Sequence, residues 1–428
     1  MKLLYPLLWR WHFIIGLLAA PVLISVSITG ALYAFEPQLE RVFEPFQTYA
    51  PCDDCERLPY SVLTGTGHAQ RPEWHLHALF DPGNGRSIQV HLEDPAGEKE
   101  DLAVFLDPHT GEVLHQRSAD EGIFTFILRL HRTLLAGEFG RNITEIMISW
   151  IFVTLFLGFT LWWPRRNKGG GGWWPRLRSK GRRFWRDLHS VIGFYLLPIF
   201  LLIGFTGLFF SPWANYTILA GMFAADQLPD IYISPPKVEN PPANAERLGI
   251  DGIIDDFLAR NDVEHFDVHY PEAPEDAYVL SAHIGFDVWK LRQAHYNPYN
   301  GQLLGEARWE DLKPGAQALM LFFPLHTGSI FGLGTQIIAF VAALLMVFIS
   351  IAGIVMWWLR RKPGEIGLPE LGDNPQRPGW KGWLLIAVLG LMLPAFGASL
   401  LVIFAYSGLR RFKRRQFSEE PSPAEEAV

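Results

Sequence analysis

Four histidines stand beside long apolar runs, and they come in two matched pairs. His12 opens WRWHFIIGLLAAPVLISVSITGALYAF, and His189 opens WRDLHSVIGFYLLPIFLLIGFTGLFF, a run built to the same pattern. His131 in LHRTLLAGEFG and His326 in LHTGSIFGLG each precede a further apolar run. Ionisable side chains at membrane depth are energetically unfavourable and usually serve a function. Neutral imidazole is an axial ligand for haem iron. A single histidine at a helix start is more often an interface residue, so it is the duplication that points to ligation: two haems in one membrane protein.

Five uncharged runs, at 13–35, 146–163, 190–225, 314–359 and 382–409, must position these groups. About 20 apolar residues cross a bilayer core, so only parts of the two longest runs can be crossing. Pro212 ends one crossing near 211, and Gly332 and Gly334 mark where a shallow segment holding His326 turns into another. The first run is too long for a signal-peptide core and lacks an A-x-A cleavage site, so it reads as a retained helix.

Orientation follows from the basic residues. The loop PRRNKGGGGWWPRLRSKGRRFWRD holds nine Lys/Arg and one acid, whereas 36–130 and 226–313 each hold 17 acids against 7 bases. The N-terminus is then expected in the cytoplasm of a multi-pass bacterial inner-membrane protein, with the acidic segments in the periplasm. Their acidity argues against nucleic-acid binding.

The expected organisation has span 1 in 1–35, an outer module in 36–130, an outer histidine segment and span 2 in 131–163, and a basic loop in 164–188. Span 3 follows in 189–211, a second outer module in 212–315, a histidine segment and span 4 in 316–359, and a linker in 360–381. Residues 382–409 are either a fifth span, slightly favoured, or a re-entrant hairpin bent at Pro394. A charged tail occupies 410–428.

The chain repeats itself. A shift of 177 aligns His12, Gly16, Pro21, Thr29 and Gly30 with His189, Gly193, Pro198, Thr206 and Gly207. A shift of 195 aligns His131, Gly137, Gly158, Trp162 and Trp163 with His326, Gly332, Gly353, Trp357 and Trp358. LDPHTGEVL (106–114) resembles YNPYNGQLL (296–304). Two parallel copies of span, outer domain, span make His12 and His189 mates at the cytoplasmic end and His131 and His326 mates near the outer end. Gly16, Gly193, Gly30 and Gly207 suit a planar cofactor, or equally the close packing of membrane helices. Arg10, Arg132 and Arg186 adjoin the histidines and could pair haem propionates, although positive-inside anchoring explains Arg10 and Arg186 as well.

The outer modules read as α+β, with alternating strands, hairpins at DPHTG and NPYNG, an amphipathic helix at IDGIIDDFLAR and a linker at IYISPPKVENPPANAE. His75 and His77 alternate on one strand, as metal ligands or ordinary surface. His265 and His269 have helical ligand spacing, but YPEAP argues against a helix there. Trp74, Trp213, Trp289 and Trp309 could form a substrate platform, with core packing the commoner role. Cys52 and Cys55 suggest a local disulfide, and Glu56 stands where a c-type haem motif needs histidine. There is no nicotinamide-binding or P-loop motif.

With these residues in place the chain resembles the PepSY-associated transmembrane family. WRWHFIIGLLAAPVLISVSITGALYAF, LHRTLL, LHSVIGFYLLPIFLLIGFTG and LHTG…WWLRRK carry the resemblance, and LDPHTGEVL is similar to the closing hairpin of a PepSY domain. Among relatives it is most similar to inner-membrane siderophore reductases of the ferrioxamine reductase (FoxB) type. The resemblance implies an α-helical integral membrane protein with two periplasmic PepSY-like modules and two haem b groups on His12, His189, His131 and His326. It also implies electron transfer to a periplasmic ferric siderophore from a cytoplasmic or membrane donor, such as a flavin reductase, reduced flavin or quinol. The alternative is a non-redox PepSY protein that inhibits a protease, binds a partner or assists metal transport.

Overall fold

The structure is a computed structural model that describes residues 5–49, 55–83, 85–97, 101–118, 120–163, 172–242, 246–263, 265–282, 288–367, 369 and 379–418. Cys52, most of the glycine-rich loop and the end of the charged tail lie outside the described residues. Cys55 is disulfide-bonded.

In chain order, α1 (Tyr5–Tyr33), α2 (Glu36–Phe43) and α3 (Tyr60–His68) lead into β1 (His75–Asp81), β2 (Ile88–Glu93), β3 (Leu102–Leu106) and β4 (Val113–Ser118). Next come α4 (Ile123–Thr133), α5 (Gly137–Trp162), α6 (Arg182–Tyr195), α7 (Leu197–Leu208), α8 (Pro212–Ala224), α9 (Asp230–Ile233) and α10 (Ile250–Arg260). Four more strands follow, β5 (Phe266–His269), β6 (Tyr278–Ala282), β7 (Arg292–Tyr296) and β8 (Leu303–Arg308). The chain closes with α11 (Pro314–Met320), α12 (Phe322–Thr327), α13 (Leu333–Trp358), α14 (Trp380–Met392) and α15 (Pro394–Ser418). Two compact units result. One holds Met1–Ile28, His131–Ile218 and Ala342–Val428, the other Thr29–Leu130 and Leu219–Val341.

The first unit is helical. In lipid every backbone amide must be satisfied internally, which favours helices for such apolar runs. Among the described residues α1, α5 and α13 are long and apolar enough to cross a membrane. The consecutive helices α6 and α7 qualify only as a pair, bent by 65°. Pro198 stands in the first turn of α7, where its missing amide is harmless but a continuous helix would need it. Pro21, its counterpart by sequence shift, lies inside an unbroken α1. His12 and His189 sit within α1 and α6, because both helices begin before the apolar run does.

Helices α14 and α15 are two antiparallel helices and not one continuous helix. Trp383 and Phe404 are 21 residues apart, yet their ring centres lie 5.9 Å from each other. One straight helix would separate them by roughly 31 Å. The chain instead doubles back at Leu393 and Pro394. Gly390 and Gly397 allow the close approach, since a Cβ on Gly397 would lie 2.4 Å from the Gly390 carbonyl oxygen. The 13 residues of α14 reach about 20 Å, short of the roughly 30 Å core. Residues 382–409 therefore form a helical hairpin, packed through Phe396 and Leu400 onto Ile15 and Trp150.

Helix α8 occupies the segment expected beyond the third crossing. Its first amides, Trp213 N–H and Ala214 N–H, donate to the Glu145 carboxylate of α5 at 3.0 and 2.8 Å. This fully buried acid satisfies donors that a helix start otherwise leaves orphaned.

The second unit is built on one eight-stranded antiparallel sheet, ordered β4-β3-β2-β1-β5-β6-β7-β8. The segments expected as separate modules meet edge to edge, Leu79 pairing with Val268 across the β1–β5 seam. Helix followed by four strands occurs twice, as α3–β1–β2–β3–β4 and α10–β5–β6–β7–β8. Both helices cover the same sheet face, with Leu63, Ile254 and Phe257 packed on Leu79, Val90, Val268 and Leu280. The two hairpins turn as their motifs anticipate. Gly111 and Gly301 adopt φ of 72° and 71°, and Asp107 Oδ1 and Asn297 Oδ1 accept backbone amides two residues on, as such turns favour.

Candidate functional site: a paired-imidazole centre

Within the helical unit the structure brings His12 and His189 together. Their ring centres are 6.1 Å apart and their planes nearly perpendicular, at 84°. Each ring is anchored by its neighbouring long helix. His12 Nδ1 lies 3.1 Å from the Thr154 carbonyl oxygen of α5, and His189 Nδ1 lies 2.8 Å from the Ile349 carbonyl oxygen of α13. A carbonyl only accepts, so each Nδ1 carries the proton and donates. Each Nε2 then presents the lone pair, the tautomer following from the hydrogen bond.

One helical turn beyond each acceptor stands a glycine. A Cβ on Gly158 would lie 3.0 Å from His12 Cε1, and one on Gly353 would lie 3.8 Å from His189 Cε1. These glycines let each imidazole rest directly on a facing helix backbone. Gly16 and Gly193, one turn past each histidine on its own helix, face open space within 4 Å.

The donor set fits an iron between two imidazoles. Imidazole–metal bonds of about 2 Å would put the centres of two rings sharing one ion roughly 6 Å apart, and the 6.1 Å edge-on contact of His12 and His189 accommodates that span. Fixing Nδ1–H on a carbonyl is the usual outer-shell device for a ligating histidine. With no atom within 4 Å of a Cβ placed on Gly16 or Gly193, neither glycine serves a tight helix–helix contact.

His131 follows the same rule. It lies in the last turn of α4, and its Nδ1 donates to the Val26 carbonyl oxygen of α1 at 2.9 Å. Val26 is 14 residues beyond His12 on α1, about 21 Å along its axis. One metal ion cannot take both His12 and His131. His326 lies in α12, which ends on a left-handed Gly328 at φ 76°; it belongs to the sheet-bearing unit, whereas His131 belongs to the helical one.

The arginines are placed differently from one another. Arg186 donates to the buried Asp187, which also receives Arg176. This triad ties the basic loop to α6 and occupies the Arg186 guanidinium. Arg10 reaches the Pro369 carbonyl oxygen at 3.3 Å. Arg132 adjoins His131 in the last turn of α4.

Of the tryptophans, Trp74 is buried in the sheet core, whereas Trp289 and Trp309 pair edge to face with centres 5.1 Å apart and Trp213 is exposed. His269 lies on strand β5 and not on a helix, in contact with His77. His91 is lowered to about 4, first by burial and then by His77 and His269 nearby. Sequence reasoning missed the anchoring carbonyls of Thr154, Ile349 and Val26, which carry no side-chain signal. Gly158 and Gly353 were visible as a repeat match, but their contact with the imidazoles was not.

Comparison with curated proteins finds no match. The family described as the PepSY-associated TM region matches residues 9–360, a stretch that includes all four histidines, the sheet strands, α5, α13 and all but the first turn of α1. The chain is a member of the PepSY-associated transmembrane family.

Proposed function

We propose that the protein is an inner-membrane di-haem b reductase of the ferrioxamine reductase type, passing electrons across the bilayer to ferric siderophore in the periplasm. The observation that supports this reading is the His12–His189 pair, two carbonyl-anchored imidazoles with ring centres 6.1 Å apart. Haem, when bound, supplies the one-electron redox chemistry. His12 and His189 would hold the inner group through Nε2, and His131 and His326 are each kept as candidate ligands of a second group. Two imidazoles leave an iron no open position, which suits electron transfer over O₂ chemistry. The roughly 21 Å between His12 and the His131 anchor on α1 sets one level near each leaflet. Arg186, committed to Asp187, is set aside as a propionate partner.

The chain is read here as two parallel copies of span, outer module and span, with α6 and α7 as one bent crossing. The α14–α15 hairpin returns the basic tail to the side of Arg360 and Arg361. On this reading both clusters would be cytoplasmic, without the charge conflict of a fifth crossing. Reduction of Fe(III) to Fe(II) weakens hard-oxygen chelation and so releases the metal. Electrons would come from a flavin reductase, reduced flavin or quinol.

Pyridine haemochrome on purified protein tests the reading. Two b-type haems per chain are expected. Folded, colourless protein would instead favour a partner-binding or transport-accessory role.

A further inference from the structure

The sheet face opposite α3 and α10 carries a second cluster of metal-binding side chains, remote in kind from the imidazole pair. On β2, Gln89, His91 and Glu93 alternate with the core residues Ile88, Val90 and Leu92. On β5, Asp267 and His269 alternate with Phe266 and Val268 in the same way. Strand β1 lies between them, and its register slips between Leu76 and Ala78. A bulge of this kind adds one residue and re-aims a side chain. The added residue is His77.

The result is a converging set. His77 Nδ1 lies 3.4 Å from Glu93 Oε2 and 3.8 Å from Glu272 Oε1, and one ligand atom from each of the three falls within 4.8 Å of the others. The His269 ring centre is 5.5 Å from that of His77. His269 Nε2 is 3.2 Å from Asp267 Oδ2, the carboxylate–imidazole arrangement that orients metal-ligating histidines. His91, facing the same neighbours, has a buried Nε2 without a hydrogen-bond partner. Such an orphan atom in a native fold calls for an explanation.

We propose that His77, Glu93 and Glu272, with His269 as a fourth donor, bind one divalent first-row transition-metal ion on the open face of the sheet. Tetrahedral bonds of about 2.1 Å hold ligand atoms roughly 3.4 Å apart. The His77–Glu93 distance already matches, and Glu272, 72% exposed, closes the rest by rotating its side chain. Mixed imidazole and carboxylate donors select zinc, iron(II) or similar ions over calcium and magnesium. The site joins the two halves of the sheet across the β1–β5 seam, which neither half could do alone. It does not depend on the haem reading.

The test uses the full-length protein in detergent, stripped with chelator and titrated with Zn(II) against a chromophoric competitor. Wild type should bind one equivalent and melt at higher temperature when loaded, as expected for a ligand of the folded state. Glu272→Gln, on an exposed side chain, and His77→Ala should each weaken binding at least about tenfold, and Asp267→Asn should weaken it less. Haem content should stay unchanged in all three. The proposal is overturned if wild type takes up no Zn(II), or if the equivalent and its thermal shift persist in the His77→Ala/Glu272→Gln double variant.

Discussion

His12 on α1 and His189 on α6 face each other with ring centres 6.1 Å apart, each held by a carbonyl on a different long helix. Four helices thus fix two side chains, each with Nδ1 committed to a carbonyl and Nε2 left with its lone pair.

If this pair ligates haem, His12→Ala and His189→Ala should each lose one of two haems per chain while leaving the other. The haemochrome spectrum of each variant would read about half the wild-type value. Full haem content in both would remove the ligand assignment.

The two backbone glycines should differ in tolerance. Gly158→Ala puts a methyl 3.0 Å from His12 Cε1, so the ring must shift by a few tenths of an ångström; Gly353→Ala makes an ordinary 3.8 Å contact. Gly158→Ala should alter the low-spin electron paramagnetic resonance signal or lower haem retention, and Gly353→Ala should leave both near wild type. Equal effects would contradict the packing described for His12.

Glu145→Leu should destabilise the helical unit. It strands the amides of Trp213 and Ala214 at the start of α8, at about 1–3 kcal/mol for buried donors left unpaired. A lower melting temperature in detergent is expected. Unchanged melting would mean that water reaches those amides.

Acid should weaken the sheet unit through His295. This side chain is 3% exposed, and burial holds its pKa below the ordinary value. Below about pH 6.5 the unfolded chain takes a proton that the folded one refuses, so stability falls as pH drops through that value. His295→Gln should flatten the pH dependence of melting between neutral and mildly acidic pH. An identical slope in the variant would locate the acid sensitivity elsewhere.

The hairpin predicts same-side ends. Gly379→Cys and Ser407→Cys should react with a membrane-impermeant maleimide from one face of sealed vesicles only, and from the same face. Labelling from opposite faces would restore a fifth crossing.

Much of this arrangement was legible in one dimension. The apolar runs at α1, α5 and α13, the amphipathic Ile250–Arg260 helix and the two hairpin turns follow from local hydropathy and turn chemistry. The matched histidines were visible because a repeat preserves spacing. Four features were not. The joining of the two sheet halves depends on which edges meet, and a strand's own residues leave its partner open. The His77 bulge is a register slip, defined only against β2. The choice between one helix and a hairpin at Pro394, both open for 382–409, required knowing that Trp383 packs on Phe404. The anchors of His12, His131 and His189 are main-chain carbonyls, and every residue has one. Residue types along the chain determined that His12 and His189 would stand where apolar helical segments begin. Only tertiary packing decided that His12 and His189 face one another, because that distance is set by four helices whose contacts are non-local.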